Sequence, residues 1–133
     1  MKETERDTFL RKPNTAVLAT IDAKGRAHAV PVWYLWTGKV FEIIGGKQSA
    51  KMAHIELQGR AALCIDDRGT RPFHITAERP CALGGPATKA WRLALHTHYH
   101  GRDVAEKVVA GDGHIDQRFV TLHPNRWYGW SSS

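Results

Sequence analysis

The residues best suited to chemistry lie in one short stretch, 45–56, where two glycines are followed by Lys47, Ser49 and Lys51. An apolar run typical of a strand precedes it, and a short helix is predicted over 50–58. A helix start offers free backbone N–H groups and the positive end of the helix dipole, and glycines let the backbone approach a ligand closely. The stretch therefore predicts a phosphate or other anion site. The same residues also allow a capped surface helix with solvated lysines.

Histidines are the other candidates for chemistry. His28 could reach a ligand, but we interpret it as a half-buried strand histidine because nothing local pairs it with a carboxylate. We expect His54 to be exposed or to lie at a dimer contact. His96 and His100 share a helix face, yet a metal site needs a further ligand, so we predict none. The simpler interpretation is that these histidines, when partly protonated, stabilise the C-terminal end of the helix. The alternative is that one of them is an axial ligand of haem.

Composition restricts the class of protein. The 133 residues are 42% hydrophobic and 24% charged, which predicts a single globular domain over 1–133. The net charge of +6 favours an anionic partner. The basic residues are scattered, without zinc-finger spacing or an aromatic RNA-binding signature, so we expect no nucleic-acid partner.

The two cysteines and the apolar runs indicate the compartment. Cys64 and Cys81 form no CxxC pair, and we expect both to be small buried residues in a reducing environment. Residues 1–8 are charged and lack the apolar core of a signal peptide. No apolar run approaches the roughly 20 residues that a transmembrane helix needs. These features predict a cytoplasmic protein that does not span a membrane.

Short alternating runs joined by turns dominate the chain. Pro31 cannot donate to a strand ladder and should lie at an edge or bulge, and Gly25 suits a turn with positive φ. Residues 84–86, Gly-Gly-Pro, predict a break, and Asp103 with Glu106 has the spacing of a capping box. The predicted strands are 15–21, 27–36, 39–44, 60–66, 73–82, 118–122 and 126–130, and the predicted helices are 3–12, 50–58, 88–99 and 103–110. This pattern predicts a mainly β protein, an antiparallel barrel with helices packed outside.

Three segments carry a resemblance to a known family. Residues 16–33 resemble the opening hairpin of the pyridoxamine 5′-phosphate oxidase-like family, which includes the deazaflavin-dependent oxidoreductases. Residues 49–55 resemble its Ser-Arg-Lys helix start, and 123–130 resemble its closing strand. The resemblance spans most of the chain, and it implies a split β-barrel, usually a homodimer with two flavin sites at the subunit interface.

The resemblance also implies a set of cofactor-binding residues. Ser49 and Lys51 would hold the cofactor phosphate, with Lys47 nearby. The second predicted strand would lie along the cofactor through its backbone, the third would meet the ring, and a closing-strand tryptophan would cover the cofactor from the other subunit or pack at the dimer interface. The strand and tryptophan residues are Val30, Pro31, Val32, Trp33, Ile43, Ile44, Trp127 and Trp130.

Two departures from the oxidase itself narrow the expected function. Ala50 stands where the oxidase has an arginine, which removes one bidentate phosphate contact. The sequence ends at Ser133 without the segment that recognises pyridoxal phosphate, so we expect no vitamin B6 activity. Members of this kind bind FMN, the deazaflavin F420 or, in some branches, haem, and the three stay open here.

The expected activity is hydride transfer between bound FMN or F420 and a small organic substrate. In such enzymes the cofactor carries the chemistry, and no catalytic side chain can be assigned from the sequence. A cofactor-binding module without turnover, for a flavin or for haem, is the alternative. A basic interaction domain is a third possibility, which the Gly/Lys/Ser helix start disfavours.

Overall fold

The computed structural model describes residues 3–67, 73–111 and 116–131. Four helices lie in these ranges: α1 Glu3–Leu10, α2 Ala50–Gln58, α3 Lys89–His100 and α4 Arg102–Gly111. The strands are β1 Ala16–Ile21, β2 Ala27–Val32, β3 Leu35–Trp36, β4 Phe41–Gly46, β5 Arg60–Asp67, β6 Phe73–Pro86, β7 Gln117–Leu122 and β8 Arg126–Ser131.

All strand pairs in the described ranges are antiparallel, and they form a curled sheet in the order β2-β1-β5-β6-β7-β4-β3, with β8 pairing to β6. The long strand β6 joins the two parts of the sheet, because its first half pairs with β5 and β8 and its second half with β7. The helices are arranged around this sheet, which confirms the predicted split barrel. Strand β2 ends the sheet order, so the prediction that Pro31 lies on an edge is also confirmed.

The core follows from the alternation of apolar residues along the strands. Leu18, Ile43, Leu63 and Val120 are fully buried, one from each of four strands, and their neighbours point to the other face. Each side chain of this size stabilises the fold by about 1.5–3 kcal/mol when it leaves water. Helix α2 is fixed to this core through the buried side chains of Met52 and Ile55.

The β1–β2 hairpin is held by its turn. Gly25 has φ +80°, as predicted for this position, and the Asp22 carboxylate accepts hydrogen bonds from the N–H groups of Lys24 and Arg26, each at 2.9 Å. The turn sets the register so that Thr20 lies opposite His28. That register places polar side chains of both strands at the same end of the hairpin.

Two predicted strand boundaries were wrong. Residues 27–36 are two strands rather than one, because the chain leaves the ladder at Trp33 and Tyr34, and the Tyr34 N–H donates to the Tyr99 hydroxyl at 3.2 Å. The predicted break at 84–86 is part of β6, with a register shift between Leu83 and Pro86. A Cβ added at Gly84 would lie 3.0 Å from the Phe119 Cβ, so glycine there permits close strand packing.

The predicted capping box and one cysteine assignment were also wrong. Helix α4 begins at Arg102, one residue after α3 ends, because only Gly101 separates the two helices. Asp103 therefore lies in the first turn of α4, where a carboxylate complements the helix dipole. Cys64 is exposed on β5. Cys81 is buried as predicted, and burial raises the pKa of its thiol to about 12. None of the helices in the described ranges combines the length and the apolar character needed to cross a bilayer.

Candidate functional site: a cleft between the edge strand and helix α2

A cleft of about 260 Å³ lies between the hairpin β1–β2 and the start of α2. Its walls come from β1, from the edge strand β2 and from the first turns of the helix. The lining residues are Thr20, His28, Ala29, Val30, Ser49, Ala50, Lys51 and His54. Three of the predicted cofactor-binding residues, Val30, Ser49 and Lys51, therefore meet in one place.

Ser49 precedes α2 with φ −69° and ψ 152°, the extended conformation of an N-cap residue. Its side chain makes no capping bond, and its buried Oγ has no hydrogen-bond partner among the described residues. Burying a hydroxyl without a partner is unfavourable, and native structures normally avoid it. The Ser49 hydroxyl is therefore placed to bond a ligand rather than its own helix.

Lys51 extends its side chain across Gly45. A Cβ added at Gly45 would lie 2.5 Å from the Lys51 Cε, so this path of the side chain requires glycine. Burial lowers the pKa of Lys51, and no carboxylate within the described ranges pairs with its ammonium group. A partly desolvated cation without a counter-ion attracts an anion strongly.

The backbone at the helix start adds further donors. The turn is closed by the Ser49 N–H, which donates to the Gly46 carbonyl at 2.9 Å, and the helix ladder begins with the Met52 N–H donating to the Ser49 carbonyl at 3.2 Å. The first N–H groups of a helix precede any intrahelical acceptor. Hydroxyl, ammonium and helix N-terminus together form a set of donors that fits a phosphate group.

Two histidines complete the cleft and correct a prediction. The His28 Nε2–H donates to the Asp22 carboxylate at 2.9 Å, so the expectation that His28 has no carboxylate partner was wrong. The His54 ring lies 4.6 Å from that of His28, and its Nδ1 shares a hydrogen bond of 2.9 Å with the Thr20 hydroxyl. The hydrogen bond from His28, with those from the turn N–H groups, holds the pKa of Asp22 far below its ordinary value.

The three predicted residues that follow Val30 lie in different surroundings. Pro31 follows the cleft residues on the exposed edge strand, whereas Val32 is buried in the core. The Trp33 ring stacks on Tyr99 of α3, with centroids 4.5 Å apart and planes 11° from parallel. The structure therefore places the Trp33 side chain against α3 within its own chain, not at the lining of the cleft.

The other predicted residues before α2 lie on β4 and in the turn that follows it. Ile43 is fully buried in the core, and Ile44 faces the other side of β4, opposite Phe119. Lys47 is exposed, and its N–H donates to the Asp116 carbonyl at 3.1 Å. None of these side chains is among those that line the cleft.

The closing-strand tryptophans are described to different extents. Trp127 packs against Trp36 at 5.8 Å and Phe41 at 6.0 Å, and the Arg6 guanidinium lies 3.9 Å from its ring centroid. These contacts use the Trp127 ring within its own chain. Trp130 pairs with His74 in the β6–β8 ladder, and its side chain lies outside the described part of the chain.

The histidine cluster of α3 is separate from the cleft. The rings of His96 and His100 lie 6.2 Å apart on one helix face, as their spacing predicts. The Trp33 ring makes a T-shaped contact with each of them. In the described ranges, no three His, Cys, Asp or Glu side chains are grouped so that they could hold a metal ion.

Thr20, Ala29 and His54 line the cleft but were not predicted as cofactor-binding residues. The turn chemistry contains a usable signal, because Asp22 and Gly25 define a hairpin whose register places Thr20 opposite His28. The position of His54 depends on how α2 packs against the sheet, which no local pattern encodes.

Comparison with protein families identifies a match over most of the chain. The family model described as pyridoxamine 5′-phosphate oxidase matches residues 3–131. Comparison with curated protein sequences gives no significant match.

Solved structures share the fold at low sequence identity. A conserved hypothetical protein, Rv2991 from Mycobacterium tuberculosis, superposes with a TM-score of 0.81 at 20% identity, covering 98% of this chain and 84% of that one. An F420 reductase gives 0.71 at 19% identity, covering 92% and 94%. HutZ, the heme storage protein of Vibrio cholerae, gives 0.71 at 15% identity, covering 95% and 92%. At these identities the likeness establishes the fold.

Proposed function

This chain belongs to the pyridoxamine 5′-phosphate oxidase family, and from that premise we propose that its cleft binds the phosphate group of FMN. F420 is the alternative cofactor, and haem is less favoured. The protein then acts as an FMN- or F420-dependent oxidoreductase on a small organic substrate, in the cytoplasm.

The observation that carries the proposal is the pair of unused polar groups at one helix start. The Ser49 hydroxyl is buried without a partner, and the half-buried Lys51 ammonium has no counter-ion, among the described residues. Both requirements are met by one phosphate group, which accepts hydrogen bonds and carries negative charge. Gly45 fits the same purpose, because it leaves room for Lys51 to lie against the backbone.

The chain's own residues supply binding and orientation. When bound, a flavin supplies the hydride-transfer chemistry. The helix start fixes the phosphate end of the molecule, and the edge strand β2, with Val30 at the cleft, offers backbone along its length. Fixing both ends restricts the orientation of a bound cofactor, which is the main contribution that a protein makes to such a reaction.

Two similar folds support the alternatives. One solved structure of this fold is an F420 reductase and another is a heme storage protein. F420 carries a phosphate in its tail, so the same donors would suit it. A module that binds its cofactor without turnover would use the cleft in the same way. A single-turnover experiment distinguishes the two, because only an enzyme would reduce a substrate with its bound cofactor.

The test is a titration of cofactor-free protein with FMN, riboflavin, F420 and haem. We expect Lys51→Met to weaken FMN or F420 binding by about 10- to 100-fold, as for a hydrogen bond to a charged group, and to leave riboflavin binding unchanged. The methionine keeps the apolar stem over Gly45, so circular dichroism and thermal unfolding should match the wild type. Lys89→Met, at the exposed start of α3, is the matched control. Equal weakening of FMN and riboflavin, or no weakening of either, would contradict the phosphate assignment.

We further propose that the protein is a homodimer. The outer face of the sheet carries a row of neighbours, Val17, Cys64, Thr76 and Tyr128, joined by strand pairing. Val17 is 40% and Tyr128 49% exposed, so apolar surface continues across the sheet. Covering this face with a second copy would remove that surface from water. Light scattering should give twice the monomer mass, and a monomer would exclude a cofactor site shared between subunits.

A further inference from the structure

The cleft needs more positive charge than Lys51 provides. A phosphate monoester carries about −1.5 to −2 charges near neutral pH. Lys51 is the one lysine or arginine among the described lining residues, and its neighbour Ala50 contributes only a methyl group. If the cleft holds such a group, as the proposed function states, another cation must share the charge.

His54 is the nearest candidate by position. It lies three residues after Lys51 on α2, so both side chains project from the same side of the helix, and both line the cleft. The ring of His28 lies 4.6 Å from that of His54 at an interplanar angle of 43°. The two imidazoles therefore form one continuous wall of the cleft. The lining residues of the cleft include no carboxylate.

Each ring is held by one nitrogen. His28 uses Nε2 to donate to Asp22, and His54 uses Nδ1 in its bond with Thr20, whose side chain is almost completely buried. The second nitrogen of each ring has no protein partner among the described residues. The rings are thus oriented by the protein, with one nitrogen each left for a ligand.

The charges around the pair would be balanced better with an anion in the cleft than without one. The groups that face the pair are Asp22 and Arg26 from the turn and Lys51 from α2. Asp22 can balance a charged His28, but a second charge on His54 would face both His28 and Lys51. An anion in the cleft removes that penalty, because it attracts all three.

We propose that His28 and His54 form, with Lys51, the cationic wall that recognises a phosphate monoester dianion, and that the histidine pair takes up a proton when the dianion binds. Imidazole is suited to this, since it is the side chain whose charge changes near neutral pH. The step is a simple protonation, in which a ring nitrogen receives a proton from solvent.

Calorimetric titration with FMN in buffers of different ionisation enthalpy measures that proton. At about pH 7.5 the phosphate of free FMN is already a dianion, so any uptake belongs to the protein. We expect net proton uptake with wild-type protein and FMN, and none with riboflavin, which lacks the phosphate.

Variants locate the proton. His54→Gln should abolish the uptake and weaken FMN binding about tenfold while riboflavin binding is unchanged. Adding Ala50→Arg to that variant should restore affinity without restoring the uptake, because a guanidinium at this cleft position is charged at every pH tested. His28→Gln should also reduce the uptake. His123→Gln, on the exposed segment after β7, is the control and should behave as wild type.

The outcomes separate this inference from the proposed function. If Lys51→Met weakens FMN binding but His54→Gln keeps wild-type affinity and uptake, the histidine wall is wrong and the phosphate site stands. Binding of F420 without FMN also overturns the histidine wall, because the F420 phosphodiester has one charge and needs no second cation. Failure of every cofactor to bind overturns both.

Discussion

Helices α2 and α3 begin in almost the same way, and the difference between them is what makes the start of α2 the candidate site. Ser49 precedes α2 with φ −69° and ψ 152°, and Thr88 precedes α3 with φ −78° and ψ 153°. The Thr88 hydroxyl accepts a hydrogen bond from the Trp91 N–H at 3.1 Å. The Ser49 hydroxyl makes no such bond and is buried. Thr88 therefore stabilises its helix, whereas Ser49 is free to bond a ligand.

The side chains around the two helix starts also differ in whether they have partners within the fold. At α3, Trp91 packs on Phe119 at 5.1 Å and its indole N–H donates to the Glu42 carboxylate at 3.1 Å. At α2, Lys51 lies over glycine and has no counter-ion among the described residues. A hydroxyl cap in the sequence is therefore evidence of a binding site only where the helix itself leaves the hydroxyl unused.

The largest effect should come from Gly45→Ala, which fills the space under Lys51. The new Cβ would lie 2.5 Å from the Lys51 Cε, so the Lys51 side chain must shift away from its present path, and we expect FMN affinity to fall by up to about 100-fold. The free energy of unfolding should change by about 1 kcal/mol or less, because the displaced atom belongs to a flexible side chain.

Gly46→Ala is the matched control, because a Cβ there meets nothing within 4 Å and Gly46 has no positive φ. It should leave both affinity and stability near wild type. If Gly45→Ala bound FMN as well as Gly46→Ala does, Lys51 would not be the phosphate ligand.

Removing each of the two hydroxyls in turn tests the comparison directly. Thr88→Ala removes a capping bond and should lower the free energy of unfolding by about 1 kcal/mol without affecting FMN binding. Ser49→Ala removes a buried hydroxyl that has no partner in the part of the chain that the structure describes. Stability should therefore be unchanged or slightly higher, while FMN affinity falls about tenfold. Urea unfolding and FMN titration of both variants give the four values. A stability loss in Ser49→Ala with unchanged affinity would make Ser49 an ordinary cap.

Much of the fold was predictable because its signals are local. Alternation of apolar residues predicted most strands, and the Asp22–Gly25 turn predicted the first hairpin. The missing N–H of Pro31 predicted its edge position. The errors at Trp33 and at Gly84–Gly85 have a common cause. In both places the chain responds to a distant residue, Tyr99 for the first and Phe119 for the second.

The candidate site also has a part that local sequence predicts and a part that depends on distant residues. Ser49 and Lys51 are two positions apart at one helix start, so a local motif could bring them together. The Asp22–His28 pair and the contact of His28 with His54 depend on hairpin register and on the packing of α2. The sequence could not separate Ser49 from Thr88 either, because both are hydroxyl caps and only the packing around them differs.

The smallest effect concerns the other end of α3, where a polar side chain is again used within the fold. The Tyr99 hydroxyl donates to the Asn14 carbonyl and accepts from the Tyr34 N–H. Burial raises the pKa of Tyr99 from 10.0 to about 12. Because the folded state favours the neutral phenol, the stability that Tyr99 contributes is present below pH 10 and is lost as the pH rises through 12.

Urea unfolding should show that loss in wild type and less of it in Tyr99→Phe, with unchanged FMN binding at neutral pH. His123→Gln, which leaves every tyrosine in place on an exposed segment, should keep the wild-type profile. A matching change in that variant would show that Tyr99 is not the group responsible.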